Sequence, residues 1–273
     1  MSTINLELLT QDVCSIAQQT GAFLLAELGK VSTTQIEEKS LNSLVSYVDK
    51  TAEEKIVDGL KKLLPNAGFL TEEETVEQTN ATYRWIIDPL DGTTNFLFGL
   101  PCFAVSIALE KEGELVLGVI YEPNKKECFY AWKGGGAWCN EQIIHCRKNR
   151  ALKHSLLATG FPYYDYSKME QYIKLFTILI QNCRGIRRWG SAAVDLAYVA
   201  CGRYDGFFEY SLNSWDIAAG VIIIQEAGGI VTDFGGKNDA LNSGEVVAGG
   251  IDFQKVLLEY VKAFMTPELK NDN

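Results

Sequence analysis

Residues 85–96 read Trp85-Ile86-Ile87-Asp88-Pro89-Leu90-Asp91-Gly92-Thr93-Thr94-Asn95-Phe96, and this stretch limits what the chain can build more than any other. Three large apolar residues belong in a core, yet two carboxylates follow them at once. Carboxylates at the end of a buried strand are costly unless positive charge compensates them. A hard cation such as Mg2+ is the natural compensation, because it takes oxygen ligands and shares them with phosphate. Gly92-Thr93-Thr94 adds backbone N–H groups and hydroxyls that suit such a phosphate. The plain alternative is a β-turn, since Asp-Pro and Asp-Gly are common turn dipeptides. A turn accounts for one acid, but not for both together with the acidic pair Glu72-Glu73. It also leaves out Asp216, which stands beside Trp215 at the start of a very apolar helix. Taken alone, Asp216 reads equally as a helix cap or as a metal ligand.

Around this stretch the hydrophobic spacing predicts helices over residues 5–28 and about 46–64, separated by a polar, irregular segment over 30–42. The acids Glu72 and Glu73 fall in a loop after Phe69-Leu70, and Glu74 reads as a surface acid. Short runs rich in Val, Ile, Phe and Tyr predict an antiparallel meander over 103–110, 115–122 and 127–133. Residues 155–160, 205–210 and 230–234 read as strands; 168–182, 191–202 and 216–227 read as helices. The pattern changes near residue 147 with no flexible linker. The organisation expected is an antiparallel-rich α+β half over 1–146 and a mixed-sheet α/β half over 147–273, intimately packed.

Bulk properties remove some classes of function. With 273 residues, 47% of them hydrophobic, the chain can bury a large core. A net charge of −10 argues against nucleic acid or an anionic membrane surface as the main partner. The longest apolar run, 218–224, is too short to span a bilayer. The first residues lack a basic and an apolar region, so no secretory signal is expected. Seven cysteines at wide spacings, with no Cys-x-x-Cys, read as reduced thiols of a cytoplasmic protein. The two histidines, His145 and His154, sit in no motif that would make them ligands or bases.

The stretch 85–96 resembles the signature of the inositol monophosphatase family, a branch of the metal-dependent, lithium-sensitive sugar phosphatases. Two further pieces support the resemblance, in order and at the right spacing. Trp215-Asp216-Ile217-Ala218-Ala219-Gly220, followed by Glu226-Ala227-Gly228-Gly229, is similar to the family's second signature. Phe69-Leu70-Thr71-Glu72-Glu73 is similar to its Gly-Glu-Glu stretch, with Thr71 in place of Gly. The likeness runs over nearly the whole chain. It implies a layered α-β-α-β-α sugar-phosphatase fold whose site lies where a metal-binding first half meets a substrate-binding second half. It also implies two to three Mg2+ ions, lithium inhibition and a homodimer.

Residue by residue, the resemblance places one cation on Glu72, Asp88 and the Leu90 carbonyl, a second on Asp88, Asp91 and Asp216, and a weaker third on Glu72. Two such cations about 3.5–4 Å apart clamp the attacking and leaving oxygens of a phosphoryl group. The nucleophile expected is water, oriented and deprotonated by a Thr93–Asp49 pair. Gly92, Thr93 and Thr94 donate to the phosphate. Glu209, with the backbone near Ser191 and Ala192, receives the ring hydroxyls. Ser191 also reads as an ordinary helix N-cap, and Glu209 as a strand-end acid. Glu73 supports a water or is simply solvated. Before the second helix the chain departs from the family's Asp-Leu-Val-Thr-x-x-Asp: it reads Ser43-Leu44-Val45-Ser46-Tyr47-Val48-Asp49. The last acid is kept, Ser43 removes a charge, and Ser46 still offers a capping hydroxyl. Lys39 matches a family lysine only with a one-residue gap and reads equally as a solvated side chain.

The leading expectation is hydrolysis of myo-inositol monophosphate. Fructose-1,6-bisphosphate, histidinol phosphate and NADP phosphatases share the signature, whereas the 3′-phosphoadenosine phosphate branch usually reads Asp-Gly-Thr-Lys-Glu-Phe. A bisphosphate would favour extra basic residues, for which Arg187 and Arg188 are candidates. The competitor from another class is a metal-stabilised regulatory binding protein without catalysis.

Overall fold

The computed structural model describes residues 4–32, 34, 36–40, 43–148, 150–163 and 165–266. In chain order the first part comprises α1 (Leu6–Glu27), β1 (Ile36–Ser40), β2 (Ser43–Ser46), α2 (Tyr47–Leu63), β3 (Gly68–Thr71), β4 (Tyr83–Asp91) and α3 (Thr93–Leu97), then β5 (Ala104–Lys111), β6 (Glu114–Glu122), β7 (Glu127–Trp132), β8 (Ala137–Cys139) and β9 (Gln142–Ile144). The second part comprises β10 (Leu156–Thr159), α4 (Met169–Asn182), β11 (Gly185–Arg187), α5 (Ala192–Ala200), β12 (Gly206–Glu209) and α6 (Ser214–Glu226), then β13 (Gly229–Thr232), α7 (Ala240–Ser243), β14 (Val246–Gly250) and α8 (Ile251–Met265).

Five layers result. Helices α1 and α2 cover one face of a seven-stranded sheet in the order β3-β4-β5-β6-β7-β8-β9. This sheet is antiparallel except for the β3–β4 pair. Helices α5 and α6 form the middle layer. Beyond them lies a five-stranded sheet, β11-β10-β12-β14-β13, parallel around β10 and antiparallel around β14. Helices α4 and α8 close the far side. The antiparallel-rich first half and mixed-sheet second half expected from the sequence are present.

Three cores fill the four layer boundaries, the middle one packing both sides of α5 and α6. Leu9, Val13, Ala17 and Leu24 of α1 recur at helical spacing and bury against Val48, Ala52 and Ile56 of α2 and the strands beneath. Residues 217–224 of α6 are buried all round, because a helix between two sheets has no solvent face. Its core joins Ile86 and Ala104 from the first half to Ala193 and Ile217 from the second, so the halves share one interior. Gly118 of β6 permits that approach: a Cβ there would run into Ile222 and the backbone of Ala219. Tyr172, Leu175 and Leu179 of α4 bury against Phe208 and Leu257 in the third core.

The segment expected to be irregular over 30–42 differs. Residues 36–40 and 43–46 pair antiparallel as a hairpin, β1 with β2, whose backbone ladder polar side chains do not prevent. The roles weighed for the Lys39 and Ser43 side chains lie outside what is described. Short β8 and β9 and the final β14–α8 unit also join the predicted elements. All seven cysteines are free. Among the described residues no helix is long and apolar enough to cross a membrane.

Candidate active site

In a regular strand, residues three apart point to opposite faces. Asp88 and Asp91 nevertheless line the same cavity. The ladder shows how: Asp88 pairs with Ser106 but Asp91 with Ala104, so β4 carries one more residue than β5 over this interval. The bulge falls at Pro89-Leu90, where proline has no N–H to give to a ladder. It restores both acids to one side. Gly92 follows in the left-handed region at φ 93°, which glycine adopts without strain, and turns the chain into α3.

The acids are held from behind. Asp88 Oδ1 accepts from the N–H of Leu90 at 2.9 Å. Asp91 Oδ2 accepts from the N–H of Ala193 at 2.8 Å and from the Ser191 hydroxyl. Asp216 Oδ2 accepts from the N–H of Asn213 at 2.6 Å, completing a capping box at the start of α6. Asp216 therefore does cap a helix, while its residue still lines the cavity. Ser191 spends its hydroxyl on Asp91 and on capping α5, while the residue lines the cavity.

Burial pushes all three acids up. Asp88 is held well above the ordinary carboxylate range by burial, then by repulsion from Glu72, Asp91 and Asp216. Asp91 rises to about 6 through burial, against the Ser191 and Ala193 hydrogen bonds. Asp216 rises to about 8 through burial and the charge of Asp91. Six acids, Glu72, Asp88, Asp91, Asp195, Glu209 and Asp216, line one cavity with Arg188 the basic side chain among its described lining residues, a donor set short of positive charge. Oxygen donors of this kind fit a hard divalent cation. Among the described residues no acidic cluster closes into a ready cage; the acids line a wall, with Glu72, Asp88, Asp91, Asp216 and Leu90 available to an ion.

Asp49 and Thr93 are brought together across 44 positions of sequence. Thr93 Oγ1 lies 3.1 Å from Asp49 Oδ1 and 3.0 Å from the Leu90 carbonyl, and its single proton serves one of them at a time. Asp49 Oδ2 accepts from the N–H and the hydroxyl of Ser46, both at 2.8 Å, so the acid is fixed by the cap of its own helix. Burial raises the Asp49 carboxyl, against those bonds.

Two supports escaped the sequence reading. Glu53 of α2, fully buried, accepts from the Thr71 hydroxyl, the N–H of Glu73, and the N–H and hydroxyl of Thr75 at 2.7–2.8 Å. It orders the acidic loop 72–75. Its signal was an acid four residues after Asp49, on the helix stripe that faces inward. Asn95 Nδ2 donates to the carbonyls of Cys102 and Trp189, both at 2.7 Å, and ties α3 to the turn before Ser191.

Glu209 ends β12 across the cavity, 8% exposed, and burial lifts its carboxyl to about 8. Its carboxylate fills the space a Cβ on Gly160 would occupy. Gly92, Thr94 and Ala192 line the cavity between the two ends. Arg188 also lines it, donating to the Tyr163 hydroxyl at 2.9 Å. Arg187 does not line it; its guanidinium turns back to the Ile186 carbonyl.

The sequence model of the inositol monophosphatase family matches residues 5–265. The chain belongs to this family. The inositol-1-monophosphatase of Mesorhizobium japonicum is 44% identical over 247 residues, covering 90% of this chain and 93% of that protein. The Nus factor SuhB of Pseudomonas aeruginosa is 40% identical over 259 residues, covering 93% of this chain and 96% of its own. In three dimensions, the extragenic suppressor protein suhB from Bartonella henselae superposes with a TM-score of 0.88 at 40% identity, covering 93% of this chain and 98% of that one. Membership in the inositol monophosphatase family agrees with the layered fold found above.

Proposed function

We propose that this protein is a Mg2+-dependent phosphomonoesterase that hydrolyses myo-inositol monophosphate. The observation that carries the reading is the β4 bulge, which turns Asp88 and Asp91 into one cavity with Glu72 and Asp216 and starts Gly92-Thr93-Thr94 beside them. Glu72, Asp88, Asp91, Asp216 and the Leu90 carbonyl would hold two to three ions. The chemistry bound Mg2+ supplies is Lewis-acid polarisation of the phosphoryl oxygens and a lowered water pKa. The chain's own groups do the rest. Gly92, Thr93 and Thr94 orient the phosphate through their N–H groups. Thr93 takes a proton from the attacking water as it passes its own to Asp49, within hydrogen-bond reach; as the water oxygen bonds to phosphorus the ester P–O bond breaks, and the departing inositol alkoxide takes a proton from solvent water. Glu209 and the backbone at Ala192 receive the ring hydroxyls. In this reading residues 1–146 supply the metal ligands other than Asp216, residues 147–273 add Asp216 and bind the polyol, and the chain works as a homodimer.

The test is phosphate release from inositol-1-phosphate, fructose-1,6-bisphosphate, histidinol phosphate, 3′-phosphoadenosine phosphate and NADP, each with Mg2+ and with chelator. Highest chelator-sensitive turnover on inositol-1-phosphate supports the reading. Highest turnover on another substrate moves the assignment, and no turnover on any sinks it. A second reading is a regulatory role as a Nus factor, favoured by the 40% identical relative whose name is Nus factor SuhB. A catalytically silent variant that still restored such a role in cells would separate the two.

A further inference from the structure

Asp195 sits in the first turn of α5, is 2% exposed and lines the candidate site. Its Oδ1 has no hydrogen-bond partner. A buried carboxyl oxygen without a donor is a standing cost that a hydrophobic residue would avoid. Helix α5 does not need it as a cap, since Ser191 already fills that place. Asp195 lies within electrostatic reach of both Asp91 at the cation end and Glu209 on the far wall, with Arg188 opposing their repulsion. Glu209 likewise receives no hydrogen bond from a described residue, and Gly160 leaves room for its carboxylate. Two acids lining one cavity therefore both lack donors among the described residues.

We propose that Asp195 is a second hydroxyl-binding group, acting with Glu209 on a substrate that carries at least two hydroxyls away from its phosphate. The ligand class is a cyclic polyol or sugar phosphate, as opposed to a phosphate ester of an apolar or aromatic alcohol. The inference rests on the phosphatase reading and narrows it.

The test uses the full chain with Mg2+ and compares wild type, Asp195→Asn and Asp195→Leu on inositol-1-phosphate and on p-nitrophenyl phosphate, which has no spare hydroxyl. For Asp195→Leu the loss of kcat/KM on inositol-1-phosphate is expected to exceed that on p-nitrophenyl phosphate at least tenfold, mostly in KM. Asp195→Asn keeps an acceptor oxygen and is expected to recover most of that loss. Saturation-transfer NMR with myo-inositol and phosphate, which cannot turn over, should show the same ranking. The melting temperature separates this from a structural role: Asp195→Leu should melt no lower than wild type. Equal losses on both substrates, or a lower melting temperature with unchanged myo-inositol binding, overturn the proposal alone. Absence of turnover by wild type on either substrate overturns the phosphatase reading and this inference with it.

Discussion

Asp88, Asp91 and Asp216 each have one carboxylate oxygen fixed by a backbone N–H, whereas Glu209 and Asp195, across the same cavity, receive no hydrogen bond from described residues. Both groups are buried, and burial raises both. The difference lies in what each is left to do. A fixed oxygen leaves its partner aimed in one direction, which suits a ligand that demands set geometry, as a small hard cation does. An acid without donors pays its desolvation until something with hydroxyls arrives. One end of the cavity is thus preorganised, and the other is completed by its ligand.

The sharpest way to break this comparison is at the fixed end. Asp91→Asn preserves shape but places an amide where the Ala193 N–H and the Ser191 hydroxyl now donate, and removes a charge. Activity should fall about a thousandfold or more, roughly 4 kcal/mol of transition-state stabilisation. Circular dichroism should show an unchanged fold. Activity within tenfold of wild type would take Asp91 out of the cation end.

Glu53→Ala tests whether the acidic loop belongs to the same end. Four donors lose their acceptor, so stability should drop by about 3 kcal/mol in urea unfolding. The Mg2+ concentration for half-activity should rise about tenfold, in line with an ordering role for a buried support. A melt that shifts with no change in Mg2+ dependence would mean that loop 72–75 holds no ion.

At the far wall, Gly160→Ala places a methyl where the Glu209 carboxylate lies. We expect KM for inositol-1-phosphate to rise about tenfold, several times more than for p-nitrophenyl phosphate. Equal shifts on both esters would show that the wall positions the phosphate and not the hydroxyls.

The two ends also differ in how far the sequence disclosed them. Asp88, Asp91 and Asp216 stand beside apolar runs, and acids in such places are conspicuous. The first helix and the antiparallel meander were legible for a similar reason, because the spacing of Leu9, Val13 and Ala17 and the apolar or alternating runs over 103–133 report which faces are buried; their stacking into layers was implied by the family resemblance, not by the spacing. What joins the site was not legible. The parity switch at Pro89-Leu90 depends on pairing with Ser106 and Ala104, which no local pattern states. Glu53 looks like any helical acid until Thr71 and Thr75 are folded against it. Asp195 reads as a first-turn acid favoured by the helix dipole, and only the cavity beside it gives it another purpose. The pairing of β1 with β2 was missed because Glu37-Glu38-Lys39-Ser40 is a polar run that carries no apolar alternation.

The smallest effect belongs to a carboxylate outside both ends, and it serves as their control. Glu127 accepts from Arg203 Nη1 at 2.6 Å, and the guanidinium lies 4.4 Å from the centre of the Tyr198 ring. The Arg203 hydrogen bond holds Glu127 below its ordinary value of 4.5. A carboxyl lowered on folding stabilises the fold fully above its unfolded pKa, and that contribution is lost as pH falls through the lower folded value. Because Arg203 is 42% exposed, solvent screening keeps the contribution within about 1 kcal/mol. Stability measured by urea between pH 6 and 3 should therefore decline less steeply in Arg203→Met than in wild type, with activity at neutral pH little altered. An identical decline would show that the acid sensitivity of this fold comes from other carboxylates, and would remove this pair as the reference against which the buried acids are judged.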